Sequence, residues 1–132
     1  MSHIKTTYKK LKRELRSEIT FDALVKYLQK IGYSVFYYSS NEGQALLQKY
    51  NLTDRVTDRV SEVNALTFVN DSAKIVFIND SIPINDMLHS ITHELAHIVL
   101  GHLEGNPYTK DKRLNEMEAE TLAYQLLYPK GR

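Results

Sequence analysis

Two histidines and a glutamate stand in a pattern that could hold and use a metal ion, His93-Glu94-Leu95-Ala96-His97. In an α-helix, residues four apart lie about 40° from each other around the axis, so both imidazoles can reach one ion. The carboxylate of Glu94 can approach a water molecule held by that ion but cannot easily join the ligands. The pattern therefore predicts His93 and His97 as zinc ligands and Glu94 as the catalytic base.

The composition restricts the rest of the ligand set. The chain has no cysteine, so a transition metal must be held by imidazole and carboxylate groups. A catalytic zinc site needs three protein ligands and one open position for water. His102 stands one position before Leu103, where the metzincin pattern would place a third histidine, so that class is disfavoured. We therefore expect one Zn²⁺ ion with a third ligand from another segment.

That third ligand is expected on the last predicted helix, 114–127. Its apolar residues define an inward stripe: Leu114, Ala119, Leu122 and Leu126. Glu118 lies within about 45° of the centre of this stripe, whereas Glu116 and Glu120 point away from it. A carboxylate buried among leucines is costly unless a cation compensates its charge, so Glu118 is predicted as the third ligand. Alternatively, Asn115 and Glu118 form a capping box at the start of this helix.

The elements around the motif follow from hydrophobic spacing and from residues that end helices. The HExxH segment lies in a helix predicted over 84–101, which Gly101 ends. Two apolar runs on either side of turn-forming residues predict an antiparallel hairpin over 65–79. The other elements predicted are a helix over about 20–32, a strand over 33–38 and a short helix over 41–51. The expected fold class is α+β, with a small antiparallel sheet packed on helices.

Residues 1–19 predict a basic amphipathic helix. Its apolar residues recur at helical spacing: Ile4, Tyr8, Leu11, Leu15 and Ile19. Lysines and arginines occupy the remaining surface. Such a basic face is either simply solvated or binds a partner or a phosphate group, and nothing in the segment decides between them.

The length and charge of the chain limit its organisation and partners. A chain of 132 residues predicts a single domain, 1–132. No apolar run approaches the roughly 20 residues that span a bilayer, and no signal peptide is recognisable, so a cytoplasmic protein without a membrane partner is expected. The net charge of +1 and the lack of a recognition helix argue against direct nucleic-acid binding.

Two segments, HELAHIVLGH at 93–102 and EMEAETLAYQLLYP at 116–129, resemble motifs of the ImmA/IrrE family of metallopeptidases. The resemblance implies a zincin-like α+β domain in which His93, His97 and Glu118 bind zinc and Glu94 activates water. Some members of the family cleave or inactivate a helix-turn-helix repressor of a prophage or mobile element. Glu120 and Tyr128 replace the asparagine and methionine usual in the family, which affects packing and not coordination.

Two functional hypotheses follow from these residues and this resemblance. The first is a zinc peptidase that cleaves or inactivates a helix-turn-helix repressor, with the predicted strand 74–79 as the edge on which a substrate strand is added. The second is a non-proteolytic, metal-stabilised binding protein that modulates the repressor by complex formation. Replacement of Glu94 by glutamine separates them, because it removes the base and leaves the metal ligands in place.

Overall fold

The computed structural model describes residues 2–15, 19–53, 64–103 and 112–128. These residues form five helices and three strands, in the order α1 (Ser2–Leu15), α2 (Phe21–Lys30), β1 (Ser34–Tyr37), α3 (Asn41–Lys49), β2 (Ala65–Val69), β3 (Lys74–Ile78), α4 (Ile84–Val99) and α5 (Lys112–Leu127). Each of these elements lies within two residues of its predicted bounds, apart from the N-terminal helix. That helix was predicted over 1–19 and is observed as far as Leu15; residues 16–18 lie outside the described part of the chain.

Side chains cap two of the helices at their N-termini. The Thr20 hydroxyl accepts a hydrogen bond from the backbone N–H of Ala23, at 3.1 Å, at the start of α2. The Ser40 hydroxyl accepts one from the N–H of Gly43, at 2.9 Å, at the start of α3. A Cβ atom at Gly43 would lie 2.0 Å from the carbonyl oxygen of Tyr37. Only glycine therefore allows α3 to pass so close to the end of β1.

The three strands form one mixed sheet in the order β1-β3-β2. Strands β2 and β3 are antiparallel, with Ala65 opposite Ile78, which confirms the predicted hairpin. Strand β1 runs parallel to β3, so the sheet is not entirely antiparallel. Because β3 is paired on both sides, the prediction that it offers a free edge to a substrate is wrong. Among the described strands, β2 has β3 as its sole partner.

Apolar residues cover both faces of the sheet. Val76 and Ile78 of β3 face the main core with residues of the four longer helices: Ile4, Leu11, Leu24, Leu28, Ile91, Leu95, Ala119 and Leu122. Ile75 and Phe77 face the opposite side and pack with Leu47 of α3. A strand buried on both faces needs apolar residues at successive positions, which explains why β3 reads as a continuous apolar run.

Helices α1 and α5 pack against each other at the edge of this core. Ile4 and Leu11 of α1 are buried while Lys5 and Lys9 are exposed, which confirms the amphipathic pattern over the described part of the segment. Helix α5 is already formed at Lys112, so Asn115 lies inside it and the alternative of a capping box at Asn115 is wrong. None of the helices in the described ranges is long and apolar enough to cross a bilayer.

Candidate metal centre

Helix α4 carries the two histidines of the motif on the flank of its buried face. Met87, Ile91 and Leu95 point into the core, whereas His93 is partly exposed and His97 lies at the border of the buried region. Helix α5 packs closely on α4. This contact places the acidic side chains of α5 against the histidines, and the site therefore lies where a helix interface opens towards solvent.

Three side chains bring their donor atoms together at this border. The Nε2 atoms of His93 and His97 are 3.2 Å apart. The two oxygens of Glu116 lie 3.0 Å from Nε2 of His93 and 2.9 Å from Nε2 of His97. For tetrahedral zinc with Zn–N bonds near 2.05 Å, two ligand atoms are expected about 3.3 Å apart. His93, His97 and Glu116 therefore each offer a ligand atom, all within 4.8 Å of one another, and could hold one metal ion.

The hydrogen bond on the far side of His93 supports the same conclusion. Its Nδ1 lies 2.7 Å from Oε1 of Glu120, a distance at which Nδ1–H donates to the carboxylate. A neutral His93 then presents the lone pair of Nε2 to the site. Metal-binding histidines commonly donate their other N–H to a carboxylate in this way. If the Nε2 atoms of both histidines carry lone pairs, these and the carboxylate repel one another, and a cation between them removes the repulsion.

The charge state of the site also suits a metal ion. Burial lowers the pKa of His97, and the neighbouring imidazoles of His93 and His102 lower it further, against the opposing effect of Glu116. The lowered pKa favours the neutral form of His97, which is the form that binds metal. Burial alone would raise the pKa of Glu120, but hydrogen bonds and charge from His93 and His89 outweigh it and lower the pKa.

Glu118, predicted as the third ligand, occupies a different position. Its Oε1 lies 3.0 Å from Nε2 of His102 and its Oε2 lies 3.4 Å from Nε2 of His3. The structure groups Glu116, and not Glu118, with His93 and His97. A ligand role for Glu118 stays a prediction, which the variants described below test.

The expectation that Glu116 points away from the inward stripe did not foresee that its oxygens face His93 and His97. It depended on taking Leu114 as an inward residue, but Leu114 is 42% exposed and Asn115 is buried in its place. A signal in the sequence could have found Glu116. Glu116 and Glu120 are spaced i, i+4, as are the two histidines, and two such pairs on adjacent helices can face each other.

Glu94, the predicted base, lies in the same cleft as this ligand group. The hydroxyl of Thr67 on β2 donates a short hydrogen bond to Oε1 of Glu94. A cleft of about 480 Å³ is lined by β2 residues, by the site and by the start of α5: Ala65, Leu66, Thr67, Glu94, His97, His102, Leu103, Lys112, Asn115 and Glu116. The contact to Thr67 was not foreseen from the sequence, because it depends on how β2 packs across α4.

His89 lies one turn before His93 and takes no position among the ligand atoms. Its Nε2 contacts Oε2 of Glu120 at 3.1 Å, and its side chain is partly exposed. Glu120 therefore bridges two imidazoles on successive turns of α4.

The comparison with known families supports the same kind of site. The family model of the IrrE N-terminal-like domain, Peptidase_M78, matches residues 43–132. The match includes the hairpin, the HExxH helix and the last helix. No curated protein and no solved structure matches the chain significantly.

Proposed function

The chain belongs to the Peptidase_M78 family of IrrE N-terminal-like domains, and from this premise we propose that it is a zinc-dependent endopeptidase. The proposed ligands of the single zinc ion are His93, His97 and Glu116. The proposed catalytic base is Glu94. The observation that carries the proposal is the convergence of two imidazole nitrogens and one carboxylate beside a fourth residue suited to proton transfer.

The residues present divide the chemistry of peptide hydrolysis between them. Zinc, when bound, supplies Lewis acidity that polarises the peptide carbonyl and acidifies a water molecule. Glu94 accepts the proton from that water and donates it to the departing amine. The hydroxyl of Thr67 holds one oxygen of Glu94, which restricts rotation of the carboxylate.

The proposed mode of substrate binding uses the sheet. Strand β2 forms a wall of the cleft, and no residue of its described partner β3 is among the cleft residues. An extended peptide added along β2 would form main-chain hydrogen bonds and pass Thr67 and Glu94. We propose a helix-turn-helix repressor of a prophage or mobile element as the substrate, and the support for this choice is the family resemblance.

The decisive experiment compares the wild type with Glu94→Gln. Both are incubated with zinc and with the helix-turn-helix repressor encoded nearest to the gene for this chain, and cleavage is followed by mass spectrometry. We expect one zinc per chain in both proteins and cleavage by the wild type only. Glu42→Gln is the matched control, because Glu42 is an exposed carboxylate of α3 outside the cleft. It should cleave like the wild type.

Two outcomes would contradict the proposal, in different ways. Repressor inactivated equally by the wild type and by Glu94→Gln, without cleavage, would show a binding protein. Undiminished zinc binding by His93→Ala and His97→Ala would show that the metal centre itself has been placed wrongly.

A further inference from the structure

The end of helix α4 turns the chain back onto one of the proposed ligands. Gly101 has a φ of +79°, in the left-handed region that glycine adopts without strain. The N–H of Gly101 bonds to the carbonyl of Ile98, at 3.1 Å, and the N–H of His102 bonds to the carbonyl of His97, at 3.0 Å. This pair of bonds defines a Schellman motif. It places the His102 side chain over the last turn of α4.

From this position His102 connects His97 to Glu118. Nδ1 of His102 lies 2.9 Å from Nδ1 of His97, and Nε2 of His102 lies 3.0 Å from Oε1 of Glu118. The His102 side chain is 2% exposed and that of Glu118 is 12% exposed. The three side chains therefore form a continuous, largely buried chain of hydrogen bonds, which begins at the Nδ1 atom of a proposed ligand.

The chemistry of these groups gives the chain one direction. An ionised Glu118 can only accept, so Nε2 of His102 donates to it. A neutral His102 then carries no proton on Nδ1, which accepts from Nδ1–H of His97. A neutral His97 is left with an unprotonated Nε2, and this nitrogen faces His93 and Glu116. The opposite direction would set the lone pair of His102 Nε2 against the carboxylate.

We propose that Glu118 and His102 are positioning residues, which hold His97 in the Nδ1–H tautomer and aim its Nε2 at the metal. The proposal rests on the proposed role of His97 as a ligand. It gives Glu118 a function other than coordination. One oxygen of Glu118 contacts His102 and the other faces His3, whereas both oxygens of Glu116 face the two ligand imidazoles.

The tautomer can be measured without metal. Long-range ¹H–¹⁵N correlation spectra of the imidazoles are recorded on the full chain at about pH 8, above the ordinary histidine pKa. We expect His97 to be protonated at Nδ1 in the wild type. His102→Leu removes the acceptor, and His97 should then lose this preference. His102→Asn is the matched rescue, because its side-chain oxygen can lie near the former Nδ1 and accept from His97.

Metal affinity provides a second readout. Competition with a chelator should show zinc binding weakened about 10- to 100-fold in His102→Leu, less in Glu118→Gln, and largely restored in His102→Asn. Glu118→Gln keeps a carbonyl acceptor for His102. Glu116→Gln should weaken binding more than any of these variants. With Co²⁺ in place of zinc, only Glu116→Gln should change the visible absorption spectrum, which reports the ligand set.

Failure of the inference is distinguishable from failure of the proposed function. A cobalt spectrum altered by Glu118→Gln and unaltered by Glu116→Gln would make Glu118 the ligand and overturn the positioning role. An unchanged His97 tautomer in folded His102→Leu, checked by amide chemical shifts, would also overturn it. Zinc binding that survives His93→Ala and His97→Ala would instead refute the proposed metal centre.

Discussion

The two proposed histidine ligands differ in the groups that contact their Nδ1 atoms. Nδ1 of His93 contacts Glu120, whose side chain is 53% exposed. Nδ1 of His97 contacts His102, which in turn contacts Glu118, and both of these side chains are largely buried. Water and salt weaken a contact between exposed groups far more than one between buried groups. His97 is therefore held by buried groups of the fold, whereas His93 is held by a contact at the surface.

The difference has its origin in the local structure. Glu118 and Glu120 are two residues apart and project about 200° apart around α5. Glu118 meets the turn at Gly101, where backbone hydrogen bonds fix His102 in place. Glu120 meets the solvent-facing side of α4. We therefore expect the metal-free protein to hold His97 in its binding orientation, with His93 less restrained.

The largest expected difference follows from removing each imidazole. His97→Ala and His93→Ala should both abolish tight zinc binding, but they should change the free energy of unfolding of the metal-free protein unequally. His97→Ala leaves Nδ1 of the buried His102 without its donor, which costs about 1–3 kcal/mol. His93→Ala removes partly exposed contacts and should cost less than about 1 kcal/mol. Urea unfolding of both variants without metal checks this, and equal losses would contradict the comparison.

The turn that supports His97 gives the next effect. Gly101→Ala places a Cβ on a residue with a φ of +79°, and this strain costs about 1–2 kcal/mol. Gly32→Ala at the end of α2, with a φ of +102°, is the matched control. Neither Cβ would meet an atom within 4 Å, so in both variants the strain is in the backbone. Only Gly101→Ala should also weaken zinc binding, because it disturbs the position of His102. Chelator competition distinguishes the two variants.

The elements that could be predicted from the sequence are those determined by local signals. The HExxH helix, predicted over 84–101, is observed as Ile84–Val99, because its apolar periodicity and its terminal glycine are local signals. The hairpin was found for the same reason. The partner of β1 was not predicted, since parallel pairing with β3 joins distant segments.

The choice of carboxylate depended on nonlocal packing. Glu116, Glu118 and Glu120 are all acidic residues of α5, and only the way α5 packs on α4 decides which faces the histidines. The inward stripe was centred on apolar residues, although the described site lies at the edge of the helix contact. Glu116, whose side chain is 63% exposed, was missed because a ligand that must face a substrate cleft need not lie with the core residues.

Salt concentration should affect the contributions of Glu120 and Glu118 to zinc affinity differently. Glu120→Gln should weaken zinc binding by only a few-fold at low salt, since an exposed contact contributes about 0.2–1 kcal/mol. Raising the salt should remove most of this effect, because ions screen exposed charges. The loss caused by Glu118→Gln should persist. Zinc affinities of the wild type and both variants, measured across a salt series, test this. A salt-independent loss for Glu120→Gln would show that the His93 side is not held by a surface contact.

No effect on zinc binding is expected from a tyrosine–carboxylate hydrogen bond remote from the metal centre, in which Tyr27 of α2 donates to Glu14 of α1 at 2.5 Å. Tyr27→Phe should lower the free energy of unfolding by about 0.5–1.5 kcal/mol and leave zinc affinity unchanged.

Burial, together with the hydrogen bond and charge of Glu14, raises the pKa of Tyr27 to about 12. The neutral phenol is thus favoured by folding. Its contribution should be complete below the ordinary tyrosine pKa of about 10 and should disappear as the pH rises through the folded value. Urea unfolding of both proteins between these limits checks the sign. Weaker zinc binding in Tyr27→Phe would mean that the His97 side depends on helix packing in general, and not on His102 and Glu118 in particular.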